Sequence, residues 1–168
     1  LKDLLDIAKL DGGVEMEWKN EVALHEICQI AVEQVRPQAS KRQVELSNGT
    51  AVDGVVLSGN AIQLQRAIVN LLTNAINHTP AGGAVALSAS SVEPERVEII
   101  ISDTGSGIDP ADLPHIFDRF YRGDKARTRT AGGTGLGLAI TREIIARHHG
   151  SIDVESTPGQ GSRFSIKL

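Results

Sequence analysis

Three asparagines, Asn70, Asn74 and Asn77, recur at i, i+4 and i+7 inside an apolar repeat made by Leu64, Ile68, Leu71 and Ala75. On a helix that spacing sets the three amides along one stripe, apart from the apolar face. Asparagine is a mediocre helix former, and surface positions are ordinarily filled by Lys, Glu or Gln, so the aligned amides read as a polar site. A second group is Ile101-Ser-Asp103-Thr-Gly105-Ser-Gly107: hydrophobic residues, one carboxylate, then a glycine-rich turn. A third is Gly133-Thr134-Gly135-Leu136-Gly137, which leads into Leu138, Ala139, Ile140, Ile144 and Ile145 at helical spacing. Backbone amides at such a helix start suit an anion, phosphate above all. Between the second and third groups lie Pro110, Pro114, Phe117, Phe120, Tyr121 and five cations: Arg119, Arg122, Lys125, Arg127 and Arg129. A basic connection of this length, about 104–134, bounded by glycines, reads as a binding loop or lid.

Other chemistries fit less well. The glycines are not a P-loop, because no Gly-Lys-Ser/Thr follows them. They are not a dinucleotide fingerprint, because the third glycine is missing after Gly137 and no strand directly precedes them. Hydrophobics followed by Asp103-Thr104-Gly105 resemble an aspartic protease signature. That chemistry needs two carboxylates sharing a proton and a nearly all-β fold, which the asparagine-bearing helix contradicts. His25, His78, His115, His148 and His149 show no metal-ligand spacing, and no serine or cysteine sits in a nucleophile elbow.

The elements that must position these residues follow from periodicity and punctuation. Residues 1–10 put Leu4, Leu5 and Ala8 on one helical face, and Asp11-Gly12-Gly13 ends it. Val14 to Lys19 alternates as a short strand. Asn20 is placed to cap a helix over 21–40 carrying Leu24, Ile27, Cys28, Ala31 and Val35, with Pro37 late in it and placed to kink it or end it early. Short strands are expected at 44–46 and 55–57, with Asn48-Gly49 and Asp53-Gly54 between them. Asn60 caps the helix 60–78, which Thr79-Pro80-Ala81-Gly82-Gly83 stops. Strands at 84–91 and 95–102, a helix 135–148 capped by Thr134, and strands at 151–156 and 162–168 complete the chain. Three helices on one face of a mixed, mostly antiparallel sheet of about five strands is the expected arrangement, a two-layer α/β sandwich.

Composition sets the outer bounds. The 168 residues suffice for one domain with an aliphatic core, since apolar residues make up 40% and aromatics 3%. A net charge of −4 argues against a nucleic-acid binder, so the basic lid acts locally. The single cysteine, Cys28, cannot form an internal disulfide and sits in an apolar helical pattern, which suits a reducing compartment. No apolar run reaches membrane-spanning length. The chain opens on Leu1 in mid-pattern, so it is expected to be a fragment of a longer protein.

Taken together, the stretches resemble the boxes of sensor histidine kinases. Gln65-Arg-Ala-Ile-Val-Asn70-Leu-Leu-Thr-Asn74-Ala-Ile-Asn77-His78-Thr-Pro80 resembles their N box, and Asp103-Thr-Gly105-Ser-Gly107-Ile108 their first glycine box. His115-Ile-Phe117-Asp-Arg119-Phe120-Tyr121-Arg122 resembles the F box, and Gly133-Thr-Gly135-Leu-Gly137-Leu-Ala-Ile the second glycine box. Thr157-Pro-Gly-Gln-Gly161-Ser-Arg-Phe164 is similar to their closing turn. The boxes follow one another in the family's order over residues 15–168, and residues 1–13 are similar to the end of the second helix of the dimerisation and phosphoacceptor domain.

The resemblance implies the Bergerat ATP-binding fold, with ATP and Mg2+ as cofactors. It makes Asn74 the magnesium ligand, with Asn70 supporting metal or phosphate, and assigns both to catalysis. It makes Asp103 the acceptor for the adenine amino group, with Gly105, Gly107 and Ile108 against the base and His78 bordering the nucleotide. Gly133, Thr134, Gly135, Leu136 and Gly137 would hold phosphates through backbone amides; Asn77 and the lid residues Tyr121, Arg122, Arg127 and Arg129 would also contact ATP, with Arg127 or Arg129 reaching the γ-phosphate. Asn77 stands where many relatives carry Lys or Arg, so a cation is missing there. The implied partners are a dimerisation domain of the same kinase, homodimeric in the full protein, and a response regulator. A cytoplasmic location follows, with no nucleic acid and no direct membrane contact.

Asn70 also bears on the reaction. Bergerat enzymes that attack with water carry a glutamate base at this place. A neutral amide favours transfer to an imidazole, which needs no base at physiological pH. The acceptor histidine lies outside this chain: His25-Glu26 has the right first pair but no proline at the family's spacing. Two other readings stand beside this one: a nucleotide-sensing Bergerat module without kinase output, and a Bergerat ATPase or serine kinase.

Overall fold

The computed structural model describes residues 19–52, 54–93, 96–123 and 134–168. The expected helical tail 1–13, residues 14–18 of the first expected strand, and Lys125, Arg127, Arg129 and Gly133 lie outside the described residues.

Strand β1 (Lys19–Ala23) leads into helix α1 (Leu24–Lys41), followed by β2 (Glu45–Ala51) and β3 (Val56–Gly59). Helix α2 (Ala61–His78) precedes β4 (Ala84–Glu93) and β5 (Arg96–Asp103), and a single 3-10 turn covers Leu113–His115. Helix α3 (Gly137–Arg147), β6 (Ser151–Thr157) and β7 (Gly161–Lys167) close the chain. The five-stranded sheet has the order β2-β4-β5-β7-β6, and β1 and β3 form a separate antiparallel pair. Only β2–β4 is parallel in the large sheet. A parallel neighbour needs a crossover, which β3 and α2 supply.

Burial alternates along the central strands, as one covered face requires. Val97, Ile99 and Ile101 of β5, Val85, Leu87 and Ala89 of β4, and Phe164 and Ile166 of β7 are buried beneath the helices. The helices answer with Leu24, Ile27, Ala31 and Val35 of α1, Leu64, Ile68, Leu71 and Leu72 of α2, and Ile140, Ile144 and Ile145 of α3. The expected α/β sandwich with three helices on one face is what the chain builds. Cys28 is buried in this core, and burial pushes its thiol up to about 11, so it serves as a small apolar residue.

Five local expectations need correction. Asn20 does not cap α1, because it lies within β1. The Ncap is Ala23, without a side-chain cap, and Leu24 donates its N–H to the Val55 carbonyl instead. Pro37 neither ends nor shortens α1: it lies on the exposed side, where the carbonyl it leaves unpaired can be hydrated. The strand expected at 44–46 runs on to Ala51 through Asn48-Gly49, because the ladder with β4 outweighs the turn preference of that dipeptide. The strand at 56–59 leaves the main sheet for β1. Thr134 is not the cap of α3, whose Ncap is Leu136 without a side-chain cap. The expectations for α2 hold: Asn60 is its Ncap and accepts the Gln63 N–H at 3.0 Å.

Candidate functional site

The asparagine stripe runs along α2 beside the start of α3. The apolar side of α2 packs into the core and leaves Asn70 and Asn74 half-buried at its margin. Asn70 donates from Nδ2 to the Gly137 carbonyl at 3.3 Å, and Thr141 Oγ1 donates to the same carbonyl at 2.9 Å. The stripe is thereby tied to the first turn of α3. Asn70 keeps its amide oxygen for another partner. The Asn74 side chain takes part in none of the hydrogen bonds among the described residues.

Asn77 is held differently. Its amide oxygen accepts from Gln38 Nε2 at 2.9 Å, so it is joined to α1. Arg42, just past the end of α1, donates to the Ile76 carbonyl at 3.0 Å and the Asn77 carbonyl at 2.9 Å. These two carbonyls belong to the last turn of α2, where a cation also meets the negative end of the helix dipole. Neither Gln38 nor Arg42 was legible as part of this corner, because both depend on how α1 and α2 pack.

The end of β5 delivers Asp103. Its side chain follows Val97, Ile99 and Ile101 in phase, so a carboxyl occupies a buried position. Burial raises its proton affinity above the usual aspartate value. The backbone N–H groups of Gly105 and Ser162, and the nearby charge of His78, offset that in part. Gly105 N donates to Asp103 Oδ1 at 2.8 Å, and Ser106 N donates to the His78 carbonyl at 3.1 Å. Loop 103–108 is therefore fastened to the end of α2, which brings His78, Asp103 and Gly105 together. Ile108 is half-buried against the core, and its N–H goes to Ser156 Oγ at 2.8 Å.

The F-box turn is fastened to the glycine-rich turn. Phe120, 61% exposed, adopts a left-handed backbone, φ 65°, and its N–H donates to the Gly135 carbonyl at 2.9 Å. Gly135 has φ 71°, and a Cβ there would fall 2.8 Å from the Phe120 carbonyl carbon, so no other residue fits. Tyr121 donates its hydroxyl to Asp112 at 2.7 Å, within the same turn. Arg122 is half-buried beside it. Phe117 meets Phe164 edge-on at 6.4 Å and carries the Arg142 guanidinium over its ring at 5.8 Å, which ties the turn to the core and to α3. Leu136 buries its side chain completely, leaving only its backbone for a ligand.

The donor set can be tested against magnesium. Among the described residues no group of three or more His, Cys, Asp or Glu could hold a metal. A magnesium ion keeps several waters and takes one or two protein oxygens plus substrate phosphates. A half-buried amide oxygen such as that of Asn74, one helical turn along α2 from Asn70, fits that habit. Among the described residues no helix is long and apolar enough to cross a membrane.

Similar proteins bear on the fold and the family. The sequence profile of the histidine kinase-, DNA gyrase B- and HSP90-like ATPases matches residues 59–168. The sensor histidine kinase RppB of Synechocystis is 39% identical over 168 residues, all of this chain and 37% of RppB. The sensor-like histidine kinase SenX3 of Mycobacterium tuberculosis is 36% identical over 166 residues, 99% of this chain and 40% of SenX3. The chain thus spans about two fifths of the length of these curated relatives. Among solved structures, the mycobacterial sensor histidine kinase MprB superposes with a TM-score of 0.76 at 29% identity, covering 88% of this chain and 95% of that one. Full-length ShkA in complex with AMPPNP superposes with a TM-score of 0.86 at 27% identity, covering 99% of this chain and 34% of ShkA. With its fold, its boxes and its relatives in agreement, the chain belongs to the histidine kinase-, DNA gyrase B- and HSP90-like ATPase family, among the catalytic ATP-binding domains of sensor histidine kinases.

Proposed function

We propose that this chain binds Mg-ATP and passes the γ-phosphoryl group to a histidine on a dimerisation domain outside it. Asp103 accepts the adenine amino group, with Gly105, Gly107 and Ile108 beside the base and His78 at its border. Asn74 supplies an amide oxygen to magnesium, and Asn70 supports the metal or the phosphates. A magnesium ion supplies neutralisation of the β- and γ-phosphate charge. Amides of Gly133, Thr134, Gly135, Leu136 and Gly137 hold phosphate oxygens at the start of α3. Tyr121, Arg122, Arg127 and Arg129 belong to the lid. An imidazole nitrogen of the acceptor forms the new N–P bond while the bond from the γ-phosphorus to its bridging oxygen breaks. ADP leaves with that electron pair, and the imidazole proton goes to solvent.

The observation that carries this reading is Asn70, whose amide is turned to the Gly137 carbonyl at 3.3 Å. A hydrolytic enzyme or a serine kinase needs a base at this place, and a neutral amide serves neither. The phosphoryl group then passes from the histidine to a response regulator. The full protein works as a homodimer in the cytoplasm, and residues 1–13 belong to its dimerisation domain.

Mixing the chain with its matching dimerisation domain and γ-labelled ATP tests the proposal. Acid-labile, base-stable label on the dimerisation domain is the expected result. ATP binding with no transfer of label overturns the kinase reading. One observation favours a nucleotide-sensing module instead: Asn77, where many relatives carry a cation, is occupied by Gln38 at 2.9 Å. Binding without transfer is what that second reading expects.

A further inference from the structure

The turn between β6 and β7 is bonded to loop 103–108 more closely than closing a hairpin requires. Ser156 stands on β6 in phase with Ile152 and Val154, the half-buried positions of that strand. A hydroxyl there interrupts an otherwise apolar inward series. Its Oγ accepts the Ile108 N–H at 2.8 Å, donates to the Gly161 carbonyl at 2.8 Å and lies 3.0 Å from the Ser162 hydroxyl. A serine hydroxyl has one proton and two lone pairs, so all three contacts are satisfied when Ser162 donates to Ser156. The neighbouring residues add to the join. Gly159 donates its N–H to the Ser106 carbonyl at 2.8 Å, and the Ser162 N–H reaches the Asp103 carboxyl. Contact is too close for side chains: a Cβ on Gly107 would fall 2.1 Å from the Thr157 carbonyl oxygen, and one on Gly161 would fall 1.8 Å from the Asp103 carbonyl oxygen.

We infer that Ser156 is a positioning residue for base selection, setting the place of Asp103 by knotting loop 103–108 to the β6–β7 turn. This rests on the nucleotide reading given above. A carboxylate accepts a hydrogen bond from the exocyclic amine of adenine but meets a carbonyl oxygen in guanine. Discrimination between the two therefore depends on where that carboxylate stands. Ser156 touches neither the asparagine stripe nor the start of α3, so its effect falls on the base and spares the phosphates.

The test measures ATP and GTP affinity of the chain by displacement of a fluorescent ATP analogue, with the thermal midpoint recorded beside it. The unaltered chain is measured first and is expected to prefer ATP; absence of both ATP binding and preference overturns the nucleotide reading itself. Ser156→Ala removes the acceptor for Ile108 and the donor to Gly161. ATP affinity is expected to fall about tenfold, the equivalent of one lost hydrogen bond, and the ATP-to-GTP ratio to contract by a similar factor. Ser156→Thr keeps the hydroxyl and is expected to restore the ratio. Equal losses for ATP and GTP, or an unchanged ratio, overturn the inference, because a merely structural role weakens both nucleotides alike. Should Ser156→Ala not fold, Ser156→Cys, with a weaker acceptor of nearly the same volume, is judged by the same ratio.

Discussion

Asn60 donates its backbone N–H to Nε2 of His148 at 2.9 Å, while Nδ1 of the same ring bonds the Ile144 carbonyl at 2.7 Å. A carbonyl can only accept and a backbone N–H can only donate, so the ring is neutral with its proton on Nδ1. It joins the C-terminus of α3 to the cap of α2.

A proton on Nε2 would expel the Asn60 N–H. Burial, first, and the neighbouring His149 hold the His148 pKa below its ordinary value near 6.5, against the pull of the Ile144 carbonyl. The folded state thus binds fewer protons than the unfolded one. Stability is complete above about 6.5 and is lost as pH falls through that value towards the lowered folded pKa. The slope from this one group is at most about 1.4 kcal/mol per pH unit. Urea midpoints between pH 8 and 5 should show the loss, and His148→Gln should lower the midpoint at neutral pH while flattening its pH dependence.

Asp103 has the opposite sign. Its folded pKa is raised, chiefly by burial, above the ordinary 3.8. The stability it allows is fullest below that value and declines as pH rises through it to the folded pKa. Asp103→Asn escapes this loss and keeps an oxygen for the Gly105 N–H. Its unfolding midpoint should match the unaltered chain in acid and exceed it at neutral pH. Adenine recognition should fail at the same time, with ATP affinity reduced roughly ten- to hundredfold, as for one hydrogen bond to a charged group. Calorimetric ATP titration and urea unfolding on the same sample test both halves.

Asn74→Ala should abolish the magnesium dependence of ATP binding. Its amide is half-buried and joins no hydrogen bond among the described residues, so the fold should lose less than about 1 kcal/mol. ATP titrations with magnesium and with excess chelator should then coincide. Retained magnesium dependence would remove Asn74 from the metal site.

Arg42 holds the last turn of α2 by two side-chain bonds to Ile76 and Asn77. Arg42→Ala should cost about 1–2 kcal/mol in urea unfolding. Arg42→Lys keeps the charge but not the fork, and should recover only part of it. Equal midpoints for the alanine variant and the parent would show the pair of bonds to be worth nothing in water.

What the sequence discloses about this fold is what neighbours along the chain decide. Helix α2 was legible from Asn60 and an apolar repeat, because a cap and a periodicity are both local. The β4–β5 pair was legible from two alternating runs of similar length. Asn20 misled, since the first N–H of α1 finds the carbonyl of Val55, thirty-one residues on. Asn48-Gly49 misled in the same way, since β4 decides what β2 becomes. At the site, the asparagine stripe and the Asp103 turn could be read from spacing. The fastening of Asn77 by Gln38 could not, because it requires knowing that α1 lies against α2. The inward serine of β6 carried a faint signal, a polar residue in phase with Ile152 and Val154, which made sense only once loop 103–108 was seen behind it.

The one parallel pairing in the sheet has a kinetic side. Edge strand β2 has a single neighbour, β4, and Glu45 meets Ala84 across that ladder. A chain emerging from synthesis therefore holds β2 without a partner until β3, α2 and the whole of β4 have followed it. Loop closure over so many residues precedes any reward from the ladder, which slows assembly relative to the hairpins β4–β5 and β6–β7. Folding should begin in those hairpins, with α2 laid on them, and the N-terminal strand and helix should dock last.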